Sequence, residues 1–81
     1  MVLEIVTPDS KVFDGEITSI TLPGIEGSFQ ILNNHAPVVS ALGTGKLVIV
    51  TPSETIEFDL DGGVVEMNNN KVIVLAESIS K

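Results

Sequence analysis

The chain has 81 residues, enough for one domain, and carries 11 Asp and Glu against four Lys, a net charge of −7. That charge disfavours nucleic acid and anionic lipid headgroups as partners. The chain has no Cys and only three aromatic residues, all Phe. Disulfides and thiolate metal sites are therefore excluded, and the side chains on which bases and sugars stack are scarce.

Short strands separated by turn residues follow one another along the whole chain. Val, Ile and Thr are abundant, and Gly, Pro, Asn and Asp recur between apolar stretches, which is typical of an antiparallel β-sandwich or flattened barrel. No stretch has the 3.6-residue periodicity of a helix. We predict one all-β domain over residues 1–77 and a short polar tail over 78–81. The predicted strands are 2–6, 11–13, 16–22, 27–32, 38–42, 45–51, 54–59, 63–67 and 71–77.

Two predicted strands are apolar on both faces. Elsewhere the pattern alternates: Ile56, Phe58 and Leu60 face a core, while the acidic residues between them face water. Segments 47–50 and 72–76 are apolar at every position. Either such a strand is covered on both faces by its own domain, or one face meets another protein. We favour a partner for at least one of them, because so small a domain seldom covers a strand twice.

Three patterns resemble motifs of catalysis or ligand binding, and each is incomplete. A hydrolytic triad would need His35 beside an activated serine, but the chain has no Gly-x-Ser-x-Gly turn. Gly43-Thr44-Gly45-Lys46 lacks the first glycine and the closing Ser or Thr of a phosphate-binding loop. The segment 59–63 begins like a calcium loop, but Asn70 stands where the bidentate Glu belongs. We predict no catalytic residue, no cofactor and no metal site.

Two other functions stay open as alternatives. An acidic β domain of this size could be a lipoyl or biotinyl carrier, which needs a modified Lys at a hairpin tip. Lys46 lies between two strand-like neighbours and Lys71 opens a strand, so neither fits well. A free-standing ligand-binding sandwich would need a deep pocket, and the scarcity of aromatic residues argues against one.

His35 lies in the most unusual segment, a turn that precedes Ala36-Pro37. Its imidazole could bond to nearby backbone as part of the turn, or it could contact a partner, because loops on rigid β scaffolds often carry function. The residues alone leave both readings open.

At this segment the chain resembles the epsilon subunit of F-type ATP synthase. The matching pieces run in order from Leu3 to Glu77 without large gaps. They are Leu3-Glu4-Ile5-Val6-Thr7-Pro8, Val12-Phe13-Asp14-Gly15, Leu22-Pro23-Gly24-Ile25-Glu26-Gly27-Ser28-Phe29, Ile31 with His35-Ala36-Pro37, Gly62-Gly63-Val64-Val65-Glu66, and Val72-Ile73-Val74-Leu75-Ala76-Glu77.

The resemblance implies a sandwich of about ten strands at the foot of a rotary stalk. There the family clamps the gamma subunit to the c-ring, couples proton-driven rotation to ATP synthesis and performs no catalysis itself. It also implies a peripheral position on the cytoplasmic side of a bacterial plasma membrane, with no direct insertion into it. Many relatives continue into a C-terminal helical hairpin; this chain stops at Lys81, so regulation by that hairpin is expected to be missing.

The resemblance also assigns two sets of contact residues, as expectations. The turn facing the polar loops of the c-ring is Gly24, Ile25, Glu26, Gly27 and Ser28. The positions toward the gamma subunit are Thr7, His35, Ala36, Pro37, Val38 and Ser40. Gln30 and Asn33-Asn34 depart from the family pattern and are expected to change local turn shape without changing the fold.

Overall fold

The computed structural model describes all residues of the chain, Met1–Lys81. It contains seven strands and no helix, which confirms the all-β prediction but gives fewer strands than the expected ten or so. They form one sheet in the order β2-β1-β7-β6-β5-β3-β4. Neighbours are antiparallel except β1 and β7, so the sheet is mixed and the wholly antiparallel expectation is corrected. The strands are β1 (Val2–Val6), β2 (Lys11–Glu16), β3 (Ser19–Gly24), β4 (Gly27–Leu32), β5 (Val38–Val50), β6 (Thr55–Asn68) and β7 (Lys71–Ser80).

Strands β5 and β6 are long because each bends at glycine residues and then continues. We call these two bends, residues 43–45 of β5 and 61–63 of β6, the glycine corners. The two strands have 13 and 14 residues, and the turns that the sequence suggests at 43–45 and 61–63 lie inside them. Leu42 pairs with Gly63 and Thr44 with Asp61, so the two corners face each other across the ladder. The Thr44 hydroxyl donates to the Asp61 carboxylate at 2.6 Å.

The side of the strand that is buried changes at this corner. In β6 the buried residues are Phe58 and Leu60 before it, and Val65 and Met67 after it. The two halves of each long strand therefore lie in different layers of the sandwich. The alternation of buried and exposed positions shifts by one residue between the two halves. A sequence pattern broken in this way predicts two short strands where the molecule has one.

The sheet curls around one core of 17 buried apolar residues. Every strand except β2 contributes to it, and Val12 and Phe13 of β2 pack against its edge. Because residues from both ends of the sheet share this core, those ends face each other as the layers of a sandwich. Burying each large aliphatic side chain contributes about 1.5–3 kcal/mol.

Strand β7 extends beyond the position expected from the sequence. Ser78, Ile79 and Ser80 pair with β6, and Ile79 packs against the core. Most of the segment 78–81, expected to be a polar tail, is therefore strand.

Candidate docking surfaces

The domain leaves an apolar patch on the outside of its sheet uncovered. Its central row crosses four strands in register: Val6 pairs with Leu75, Leu75 with Val64, and Val64 with Ala41. The Leu75 side chain is 54% exposed and that of Val39, one row away, is 69% exposed. We call this patch the outer apolar face; it consists of Val6, Val39, Ala41, Val64, Ile73 and Leu75.

The alternation of each strand accounts for this face. Val72, Val74 and Ala76 of β7 are buried, so Ile73 and Leu75 point to the opposite side. The sequence favoured a partner for at least one of the segments 47–50 and 72–76 without choosing between them; in 72–76 the side with Ile73 and Leu75 is the one that the domain leaves at least partly open. A row of cross-strand apolar neighbours that remains exposed makes this face a candidate interaction surface.

The hairpin tip, residues 24–28, joins β3 to β4 by a two-residue loop. Ile25 is 67% exposed there, and its N–H donates to the carbonyl oxygen of Ala41 at 3.3 Å, which fixes the tip beside β5. A Cβ on Gly24 would lie 2.7 Å from the carbonyl oxygen of Gly27, so this position requires glycine. A groove of about 550 Å³ lies along the tip, lined by residues 24–29 and 39–41.

The His35 loop, residues 33–37, is tied to the turn between β6 and β7. The side-chain oxygen of Asn70 accepts the N–H of Asn34 at 2.8 Å, and its amide nitrogen donates to the Asn33 side chain at 2.8 Å. His35 Nδ1 donates to the carbonyl oxygen of Ala36 at 2.7 Å, as the structural reading of this residue expects. The ring is nevertheless exposed and is not covered by the domain itself.

Replacing Asn70 by Ala should destabilise the domain by about 2 kcal/mol, because two hydrogen bonds are lost and Ala is strained at positive φ. Asn70 has a φ of 60°. Asn70→Gly removes the same bonds without the strain and should cost only about 1 kcal/mol. Urea unfolding of the two variants measures the difference. Wild-type stability in both would show that this tie does not hold the loop.

The six residues assigned to gamma do not form one continuous surface. His35, Ala36 and Pro37 are exposed in their loop, whereas Thr7 lies at the diagonally opposite corner of the β1-β7-β6-β5 face. Val38 and Ser40 lie on the side of β5 that carries the buried Leu42, and Val38 packs against the core. Ser40 also lines the groove at the hairpin tip, so it lies beside the residues that were assigned to the c-ring.

Thr7 has a structural role in the turn between β1 and β2. Its hydroxyl oxygen accepts the backbone N–H groups of Asp9 at 3.3 Å and Ser10 at 3.1 Å. A shallow depression of about 320 Å³ joins this turn to the middle of β7, lined by residues 6–8 and 75–77. Thr7 therefore borders the outer apolar face, while the His35 loop lies at its other end.

Several of the remaining polar side chains pair with one another at the surface, as Thr44 does with Asp61 and Lys46 with Asp59. No group of three His, Asp or Glu side chains converges as metal ligands would, and no buried side-chain polar atom lacks a partner. Lys46 lies within β5 and donates to Asp59 at 2.8 Å, and this hydrogen bond raises the pKa of Lys46. Lys46 therefore lies inside a strand, whereas a lipoyl or biotinyl carrier needs its lysine at a hairpin tip. Since every element of the structure is a strand, it contains no helix that could span a membrane.

Over residues 1–81 the chain matches the model of the family described as "ATP synthase, Delta/Epsilon chain, beta-sandwich domain". The chain belongs to this ATP synthase delta/epsilon family. It is 47% identical to the epsilon chain of Maridesulfovibrio salexigens, across 100% of this chain and 57% of that relative. It is 42% identical to the epsilon chain of Chlorobium limicola, across 96% of this chain and 90% of that relative. The chain thus spans little more than half of one relative and nearly all of another.

Solved structures show the same fold for this epsilon-family domain. A chain of the Euglena gracilis mitochondrial ATP synthase superimposes with a TM-score of 0.91 at 21% identity, over 98% of this chain and 51% of that one. A chain of the central stalk and c-ring structure from Tetrahymena thermophila gives 0.82 at 24% identity, over 96% and 63%. The two curated relatives compared above are both named ATP synthase epsilon chain.

Sequence reasoning missed most of the outer apolar face of this epsilon-family domain. It drew attention to segment 72–76, which holds Ile73 and Leu75, but it named Val38 where the structure exposes Val39. The signal was present in the adjacent pairs Val38-Val39 and Val64-Val65. Two apolar residues in succession on a strand put one on each face. Which member is exposed depends on the glycine corner, and the sequence pattern did not reveal that.

Proposed function

We propose that this domain is a rotor subunit of a proton-translocating F-type ATP synthase, where it links the gamma subunit to the c-ring and helps couple rotation to ATP synthesis. The observation that carries this proposal is the outer apolar face, which the domain does not cover itself. Its position is peripheral, on the cytoplasmic side of a bacterial plasma membrane, and depends on its partners. The relatives that match over most of this chain are bacterial.

The outer apolar face is proposed to receive the gamma subunit. Val64 and Leu75 form its centre, and in the next row Glu4 and Glu66 alternate with Ile73 and Val39. The wholly apolar central row would then supply the desolvated centre of an interface, and the mixed row part of its polar rim. Thr7 and the His35 loop border the same face at opposite corners, which agrees with their expected position toward gamma.

The hairpin tip is proposed to contact the polar loops of the c-ring. Glu26 is the only charged residue between positions 17 and 45. Its carboxylate is therefore the one charged group at the tip that would attract a basic loop. An exposed ion pair of this kind contributes about 0–1 kcal/mol. Burial of the exposed Ile25 side chain should therefore contribute more to the contact.

The fold suits a part that transmits force between two such contacts. The tip continues through β3 and β5 into β6 and β7, so one hydrogen-bonded ladder joins it to the outer apolar face. Of 50 backbone hydrogen bonds, 43 lie within strands. A continuous ladder around one core resists bending more than two domains joined by a linker would.

Ile25→Asp should weaken the proposed contact with the c-ring and leave the proposed contact with gamma unchanged. Tagged wild-type domain should retain both gamma and the c-ring when purified from native membranes in mild detergent. The variant should lose the ring at least about tenfold while retaining gamma, because only the tip gains a desolvation penalty. Ser53→Asp, in an exposed turn outside both surfaces, is the matched control and should behave as wild type. Retention of neither partner by the wild-type domain would overturn the proposal.

A further inference from the structure

The two edge strands of the sheet differ in how they are protected against pairing with another chain. The edge strand β2 carries Lys11, Asp14 and Glu16, and its pairing with β1 is interrupted by an irregularity between Ile5 and Val6. Charges and irregularities of this kind block the addition of a further strand. The other edge strand, β4 (Gly27–Leu32), has no charged residue, no proline and no irregularity.

The backbone of β4 is available along its open side. Its pairing with β3 is continuous from Gly24–Gly27 to Ser19–Leu32, and the first of these pairs closes a two-residue loop. Strict alternation from that closing pair turns the N–H and C=O groups of Ser28 and Gln30 away from β3. The Leu32 carbonyl oxygen accepts the His35 N–H at 3.1 Å, so that group alone has a local partner.

We propose that β4 is the edge at which two copies of this chain pair, antiparallel and centred on Gln30. A two-fold axis through Gln30 places Gln30 opposite Gln30 of the second copy, Phe29 opposite Ile31, and Ser28 opposite Leu32. Every pair then joins residues from the same side of the sheet, as an antiparallel ladder requires. Phe29 and Ile31 lie on the core side of β4, and Ser28, Gln30 and Leu32 on the exposed side.

Charge favours a second copy at this edge in spite of the net charge of −7. Glu26 is the only charged residue between positions 17 and 45. Strands β3 and β4 and the first part of β5, residues 38–45, therefore carry almost no charge. In the paired arrangement Glu26 of one copy lies opposite Asn34 of the other. The two Glu26 side chains are then about 27 Å apart, at opposite ends of the paired strands.

Sedimentation of the purified full chain tests the pairing between about 10 µM and 1 mM, where a small edge-to-edge interface associates. Wild type should associate reversibly. Gln30→Lys and Gln30→Glu each place like charges opposite one another and should weaken association about fivefold, whereas an equimolar mixture of the two should restore it. Because Gln30 is exposed, both variants should keep the wild-type unfolding curve.

Three outcomes would overturn the inference. The first is a wild-type chain that stays monomeric throughout this range. The second is association that neither charged variant weakens. The third is association that Leu75→Asp removes while Gln30→Lys leaves it intact, which would place the contact on the outer apolar face. Binding to gamma and to the c-ring is a separate measurement, made by the membrane purification, so the failure of this inference and the failure of the proposed function can be told apart.

Discussion

Gly63→Ala should destabilise the domain by about 3 kcal/mol or more, a large share of the 5–15 kcal/mol typical of a small fold. Gly63 has a φ of 145°, a conformation that costs a residue with a side chain about 1–3 kcal/mol. An added Cβ would also overlap the carbonyl oxygen of Leu75 and approach Ala76 Cα to 3.1 Å. The corner of β6 would have to separate from β7. Urea unfolding monitored by circular dichroism measures the loss.

Gly27→Ala is the matched control for that experiment. Gly27 also has a positive φ, 132°, but an added Cβ there meets nothing within 4 Å. The control should lose only the conformational part, about 1–2 kcal/mol. The difference in lost stability between the two variants measures the steric cost of an added Cβ against β7 at the corner. Equal losses in both would contradict this account of the corner.

Leu75→Asp should weaken binding of the gamma subunit about 30-fold or more, corresponding to about 2 kcal/mol at the centre of an interface. The substitution places a charge in the middle of the outer apolar face, where a bound partner would remove it from water. Because more than half of the Leu75 side chain is exposed, the isolated domain should keep its fold and lose at most about 1 kcal/mol of stability. Titration of purified gamma with each variant measures the affinity.

Two further variants make the binding result specific. Val39→Asp lies on the same face and should act in the same direction, whereas Thr55→Asp is exposed on the other half of β6 and should bind as wild type. Val38 is unsuitable for this purpose because its side chain packs against the core, so a charge there would unfold the strand. Wild-type affinity in both Leu75→Asp and Val39→Asp would remove the outer apolar face from the gamma contact.

The hairpin tip shows how far local sequence can predict a site. Gly24 and Gly27 flank two residues between strand-like segments, and the structure places a two-residue loop there. The groove beside it was not predictable, because its other wall is residues 39–41 of β5. That wall comes beside the tip through the pairing of β3 with β5 and the hydrogen bond from Ile25 to Ala41.

The parallel pairing of β1 with β7 illustrates a second limit. Both segments were predicted as strands from their Val and Ile content, and both are strands. Their pairing joins residues about 70 positions apart, such as Val2 with Lys71, and no local pattern encodes a partner at that distance. The central row of the outer apolar face depends on this pairing, since it sets Val6 beside Leu75.

By itself the sequence determined the class of the fold, the absence of a familiar catalytic motif, the surplus of apolar strand faces and the resemblance to the epsilon family. These follow from composition, from two-residue periodicity and from the order of short motifs, all of which are local. The tertiary structure decided how many strands there are and which apolar side chains stay exposed. Two glycine corners invert the buried side in mid-strand, and a glycine reads as a turn in sequence whether the chain reverses there or only bends.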